Sequence, residues 1–171
     1  MKLMPSPETE VPEAASSLIL ERFVPYRLSV LSNIVSRAIA RIYAERFDLT
    51  IPEWRVMAQL GRHGRLSASD IVGLTAMDKV RVSRAVARLV GSGRVVAVPD
   101  EADRRRQLLT LTAAGRRIYR KIVPLALERE ASLLQALEPG ERLALHQLLA
   151  KLQAQAVRLA PEAGGRVGEP D

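Results

Sequence analysis

One stretch of this 171-residue chain leaves the helical rhythm, and it constrains the fold more than any other feature. Across 94–99 ("RVVAVP") and 107–112 ("QLLTLT") apolar side chains follow a strand-like period of two. On either side they recur three and four apart, the spacing of helices. A charged loop, 100–106, joins the two runs, so they form a hairpin. A lone hairpin is at best marginally stable in water, so helices must cover it. The pattern predicts a mainly α fold carrying a two-stranded β-wing.

The helices can be placed from their stripes and caps. The first runs from about Pro25 to Phe47 on Leu28, Leu31, Val35, Ala38 and Ile42. Thr50 or Ile51 caps a second, which Pro52 opens and Gly61 or Gly64 ends. Ser67, with Asp70 three residues on, caps a short third helix through an acidic variant of the capping box. "DKVRVSRAVARLVGSG" is a fourth, stopped by Gly91 or Gly93. After the hairpin come two long helices, Thr112 to about Ala136 and Glu138 to about Ala160. Residues 1–16 and 161–171, rich in Pro, Gly and Glu, are expected to be flexible tails around a single domain over 17–160.

Composition removes whole classes of function. Aromatic residues make up 4% of the chain and apolar residues 47%, so the core must be aliphatic. The absence of cysteine excludes disulfides, thiolate metal sites and thiol-based redox sensing. The two histidines, His63 and His146, stand in no metal-ligand spacing and read as surface or interface residues, so neither metal nor cofactor is expected. No H-E-x-x-H, Gly-rich phosphate loop or His near an acid suggests an enzyme. With no apolar run of membrane-spanning length and no signal-peptide core, the expected place is the cytoplasm, with no membrane partner.

Charge points to a polyanion. The chain carries a net +7, and residues 78–106 hold eight of its 26 basic side chains against four acids. Such clusters commonly meet nucleic acid; solubility alone would account for one equally well. On the fourth helix Val82, Val86, Leu89 and Val90 take one side, while Arg81, Arg84 and Arg88 share an arc of roughly 60° on the other. Arginine suits a major groove because its fork matches guanine O6 and N7 and also phosphate oxygens. Lys79, Val80 and Ser83 stand near the helix start, where base edges are usually met. Arginines at a hairpin tip can enter a minor groove, with Asp103 holding Arg105 extended through charge-assisted hydrogen bonds. A solvated amphipathic helix and a solvated turn remain the plain alternatives. Scarce aromatics argue against single-stranded RNA, which is bound by base stacking, although a helical RNA-binding or adaptor protein stays open.

From Phe23 to about Leu152 the sequence resembles the MarR-type bacterial transcription regulators. "DRRRQLLTLTAAG" is similar to that family's wing signature D-x-R-x-x-x-x-x-L-T through Asp103, Arg105, Leu111 and Thr112, with Gly115 following. "DKVRVSRAVARLVGSGRV" resembles its recognition helix and first wing strand through Asp78, Lys79, Val82, Ser83, Arg84, Leu89, Gly93 and Val95. The resemblance implies a homodimeric winged helix-turn-helix repressor on palindromic double-stranded DNA, released by a small molecule. It places the DNA-binding lobe at about 50–112 and the dimerisation helices at about 17–47 and 112–160. Arg81 departs from the small hydroxyl residue often found at its position, so base preference does not carry over.

Expected DNA-binding residues are therefore Ser67, Ser69, Lys79, Val80, Arg81, Ser83, Arg84, Arg88, Asp103, Arg104 and Arg105, with Ser67 and Ser69 binding phosphate at a helix start. Leu145, Leu148, Leu149 and Leu152 form a seam for a partner subunit, or else are covered within one chain. The resemblance implies a pocket between the first, second and fifth helices for an aromatic or phenolic effector. Ser29, Ser32, Ser36 and Trp54 are its candidate lining; close helix packing by the serines and a core role for Trp54 are the competing reading.

Overall fold

A computed structural model describes residues 18–101, 103 and 106–159. Six helices and three short strands follow in the order α1 (Val24–Phe47), α2 (Ile51–His63), β1 (Arg65–Leu66), α3 (Ala68–Thr75), α4 (Lys79–Gly91), β2 (Val95–Pro99), β3 (Gln107–Leu111), α5 (Ala113–Leu134) and α6 (Pro139–Leu159). The expected tails lie outside the described residues. The capping expectations hold at α2 and α3, where both Thr50/Glu53 and Ser67/Asp70 form reciprocal capping boxes. Asp78 caps α4 by accepting the Arg81 backbone N–H at 2.7 Å. Gly64, at φ 81°, ends α2 in a conformation open to glycine without strain.

The sheet has three strands, ordered β1-β3-β2, where two were expected. β1 pairs antiparallel with β3, Arg65 opposite Thr110 and Leu66 opposite Leu109. Two residues are too few to show a period, which is why the strand escapes sequence reading. β2 is an edge strand, so Pro99 at its end interrupts no central ladder.

The base of the wing is locked to α5. The Thr112 hydroxyl donates to the Gly93 carbonyl at 2.7 Å, and its backbone N–H to the Arg94 carbonyl at 3.0 Å. The same hydroxyl caps α5 by accepting from the Gly115 N–H at 3.1 Å. A Cβ on Gly115 would strike the Arg94 carbonyl, so this close approach requires glycine. The L-T-x-x-G part of the wing signature is thus architecture.

The core is aliphatic, as composition requires: Val56, Met57, Leu60, Ile71, Val82, Leu89, Val95, Leu109, Leu111 and Ile122 are all buried. The buried face of α1 is Ile39, Ala40, Tyr43 and Phe47, at its C-terminal end, whereas Leu28 and Leu31 of the expected stripe stay exposed. α6 has no buried residue among those described; Leu148 is 56% exposed, and Leu149 and Leu152 are exposed with it. Together with half-buried Leu145 they line a cleft whose other wall is Val24, Leu28 and Leu31 of α1. This much unburied leucine on two neighbouring helices exceeds the scattered exposure normal for a monomer surface.

Candidate functional site

α3, the turn at Ala76–Asp78 and α4 make a helix-turn-helix backed by α2. Ala76 takes φ 50° at the end of α3, which turns the chain sharply into Met77, a core residue. Val82, Ala85 and Leu89 then anchor α4, which leaves Lys79, Val80, Arg81, Ser83, Arg84 and Arg88 exposed. Val80 is 57% exposed although apolar. Ser69 of α3 joins Lys79 and Ser83 along one groove between the two helices, floored by Val72, Val82 and Val86. Five predicted residues therefore sit at the N-terminal half of one exposed helix, with Ser69 beside them.

Four of the predicted residues have side-chain partners within the domain, Ser69 among them through the Ser67 hydroxyl at 2.8 Å. Ser67 is buried, and its hydroxyl donates to Asp70 Oδ2 at 2.7 Å, caps the Asp70 N–H and receives Arg106 Nη2 at 3.1 Å. As the cap of α3 it has no exposed oxygen for a phosphate, which corrects that expectation. Arg88 reaches from the C-terminal half of α4 to the buried acid Glu53, Nε to Oε1 2.8 Å, so its fork is partly committed within the domain. Arg81 Nε lies 3.2 Å from Asp78, on the surface.

The wing loop is tied back to α3. Arg106 leaves the wing and binds Asp70 through Nη2, at 3.1 and 2.8 Å from its two oxygens. Backbone bonds close the loop, Asp100 N–H to the Arg106 carbonyl at 2.9 Å and Arg106 N–H to the Asp103 carbonyl at 2.8 Å. Hydrogen bonds from the Ser67 side chain and backbone, and then the Arg106 charge, hold the Asp70 carboxyl below its ordinary range. Arg104 and Arg105, and with them the Asp103–Arg105 pairing, lie outside the described residues.

Behind the helix-turn-helix, α1, α2 and α5 line a half-open cavity of about 530 Å3, within the size range of small-molecule sites. Ile34, Val35, Ile39, Trp54, Tyr119 and Val123 are among its walls, with Arg129 and Glu130 beside them. The Trp54 ring lies between Tyr43 and Tyr119, centroids 5.6 and 6.0 Å away. Burial, slightly opposed by the nearby Arg55 charge, pushes the Tyr43 phenol up to about 12. Of the expected lining only Trp54 is present. Ser29 and Ser32 are exposed, and Ser36 accepts from Arg55 Nη2 at 3.4 Å, because the three occupy the arc of α1 beside the one that faces the cavity.

The sequence profile of the MarR family matches residues 47–106, from the end of α1 through the helix-turn-helix to the wing. The helix-turn-helix and wing of this chain are of the MarR type. The repressor NicR of Pseudomonas putida is 30% identical over 61% of the chain and 66% of its own length, just under two thirds. Among solved MarR folds, one from Acinetobacter sp. ADP1 superposes with a TM-score of 0.76 at 26% identity, covering 82% of this chain and 99% of that one. A structure of Bordetella bronchiseptica BpsR, described for regulation of its DNA binding by 6-hydroxynicotinic acid, gives 0.70 at 29% identity, covering 78% and 94%.

Within this MarR fold, sequence reasoning missed Glu53, Arg106, Gly61 and Tyr119 as site residues. Thr50-x-x-Glu53 does spell a capping box, which is a signal for Glu53 but not for its partner on α4. Arg106 is hidden in a run of three arginines. Gly61 leaves space for Tyr119, whose ring atoms would lie 2.5 Å from any added Cβ. That packing joins residues far apart in sequence, with no local pattern to mark it.

Proposed function

We propose that the protein is a homodimeric, sequence-specific regulator of transcription that binds duplex DNA through α4 and is released by a small aromatic acid. The observation that carries this reading is the exposed N-terminal half of α4. There Lys79, Arg81 and Arg84 surround an exposed Val80, with Ser69 and Ser83 alongside. Arginine forks suit guanine, and an aliphatic side chain suits the thymine methyl. Ser69 and Lys79 contact phosphate, and Arg104 and Arg105 at the wing tip reach the minor groove.

Dimerisation comes from the apolar faces of α1 and α6, and a twofold axis sets two copies of α4 about one turn of DNA, roughly 34 Å, apart. Occupancy of the operator represses, as the NicR name states for that relative. The effector binds between α1, α2 and α5 with its ring on Trp54 or Tyr119; BpsR, whose DNA binding responds to a hydroxylated pyridine acid, supports that ligand class. Release needs only that the effector bind the DNA-free conformation more tightly. The role is non-enzymatic, in line with relatives that are regulators.

Selection from random duplex DNA tests this reading. A near-palindromic sequence should emerge, and aromatic acids, 6-hydroxynicotinate among them, should release it while changing Trp54 fluorescence. Recovery of single-stranded RNA in preference to duplex in a competition assay would overturn it.

A further inference from the structure

Of the three arginines on the α4 arc, Arg88 reaches furthest back into the domain. Its Nε lies 2.8 Å from Oε1 of Glu53, whose side chain is 3% exposed. The other carboxylate oxygen accepts the Thr50 N–H at 2.8 Å. One carboxylate therefore holds α4 with one oxygen and the first turn of α2 with the other. The residue that follows is Trp54, part of the cavity wall between Tyr43 and Tyr119.

Apolar contacts also join α2 to α4, but burial of such surface has no directional preference and lets helices slide. A charge-assisted pair is directional, and separating it would leave a buried carboxylate without its counter-charge. The two helices are therefore held in register at this point. We infer that the Glu53–Arg88 pair couples the cavity to the recognition helix, with Arg88 as a positioning residue that acts through Glu53 and Trp54. A ligand that moves Trp54 shifts Glu53 and so re-aims α4. By reciprocity, DNA that seats α4 must alter the surroundings of Trp54. The inference rests on the DNA-binding reading above.

Trp54 is the chain's only tryptophan, so its emission in the full-length protein reports the cavity wall without any effector. The probe is the duplex selected from a random pool by the wild-type protein, added to saturation. Wild-type emission should change on binding. Glu53→Gln keeps an oxygen for the Thr50 N–H but drops the charge, and should lose most of that change while the duplex is still bound. Arg88→Gln should lose it likewise, and Arg88→Lys should recover part. If Glu53→Gln does not fold, the two Arg88 variants, altered at an exposed side chain, carry the test. An unchanged emission response in folded, duplex-bound variants would overturn the coupling, as would a wild-type emission that does not respond to saturating duplex. Failure to select any duplex would instead overturn the DNA-binding reading, and the inference with it.

Discussion

Arg106 and Asp70, 36 residues apart in sequence, bind each other at 2.8 Å and tie the wing to the cap of α3. The pair is half exposed, so its direct contribution to stability is at most about 1 kcal/mol. Under the proposed function, its larger effect is to order the wing ahead of duplex binding. Arg106→Ala should cost about 0.5–1.5 kcal/mol of duplex affinity, because a wing loop no longer tied to α3 must be ordered at binding. Titrations of wild type and variant at one fixed salt concentration check it. Asp70→Ala removes an acid beside a polyanion and yet should weaken binding too; tighter binding would contradict a structured wing.

The same carboxyl sets a pH dependence. Ser67 hydrogen bonds and the Arg106 charge place its folded pKa below the unfolded value, so the stabilisation is complete above the ordinary aspartate range. It is lost as pH falls through the depressed folded value. The stability gap between wild type and Asp70→Asn should be widest near neutrality and narrow below about pH 4. Urea unfolding of both proteins across that window measures it.

Gly115→Ala places a methyl against the Arg94 carbonyl at the base of the wing. Overpacking of this kind costs about 1–3 kcal/mol, or roughly 2–4 °C in melting temperature per kcal/mol for a chain of this length. Thermal unfolding should show that drop, whereas Gly91→Ala, which meets nothing within 4 Å, should not.

What the sequence made legible was whatever a local pattern encodes. The capping boxes at Thr50 and Ser67, the Asp78 cap, the β2–β3 hairpin and the exposed arc of Arg81 and Arg84 depend on neighbours three or four residues away, or directly across a short hairpin. β1 is too short for a period, and the partners of Arg106, Arg88 and Gly61 stand on other elements. Ser67 illustrates the difference: its spacing to Asp70 announced the cap, but only the fold shows that capping and Arg106 leave its hydroxyl no exposed face for phosphate. The serines of α1 likewise align on the helix, one arc away from the cavity they were expected to line.

Leu148 and Leu152 test the subunit contact. Both are exposed on α6 and face the same cleft as Leu28 and Leu31. Leu148→Glu with Leu152→Glu should yield a folded monomer of 18.8 kDa by light scattering, where the proposed dimer should give twice that mass, and should abolish tight operator binding. A dimer of unchanged mass would move the interface elsewhere.

Base reading by α4 depends above all on Arg84. Its side chain is exposed on α4, with no side-chain hydrogen bond or ion pair among the described residues. The decisive measurement compares Arg84→Ala with wild type on the selected duplex and on random duplex at one salt concentration. Base reading requires a loss of about 1–3 kcal/mol on the selected duplex, a smaller loss on random DNA, and relaxed base choice at one position in each half-site. Equal losses on both duplexes would show that Arg84 touches only phosphate, and would contradict base reading by this helix.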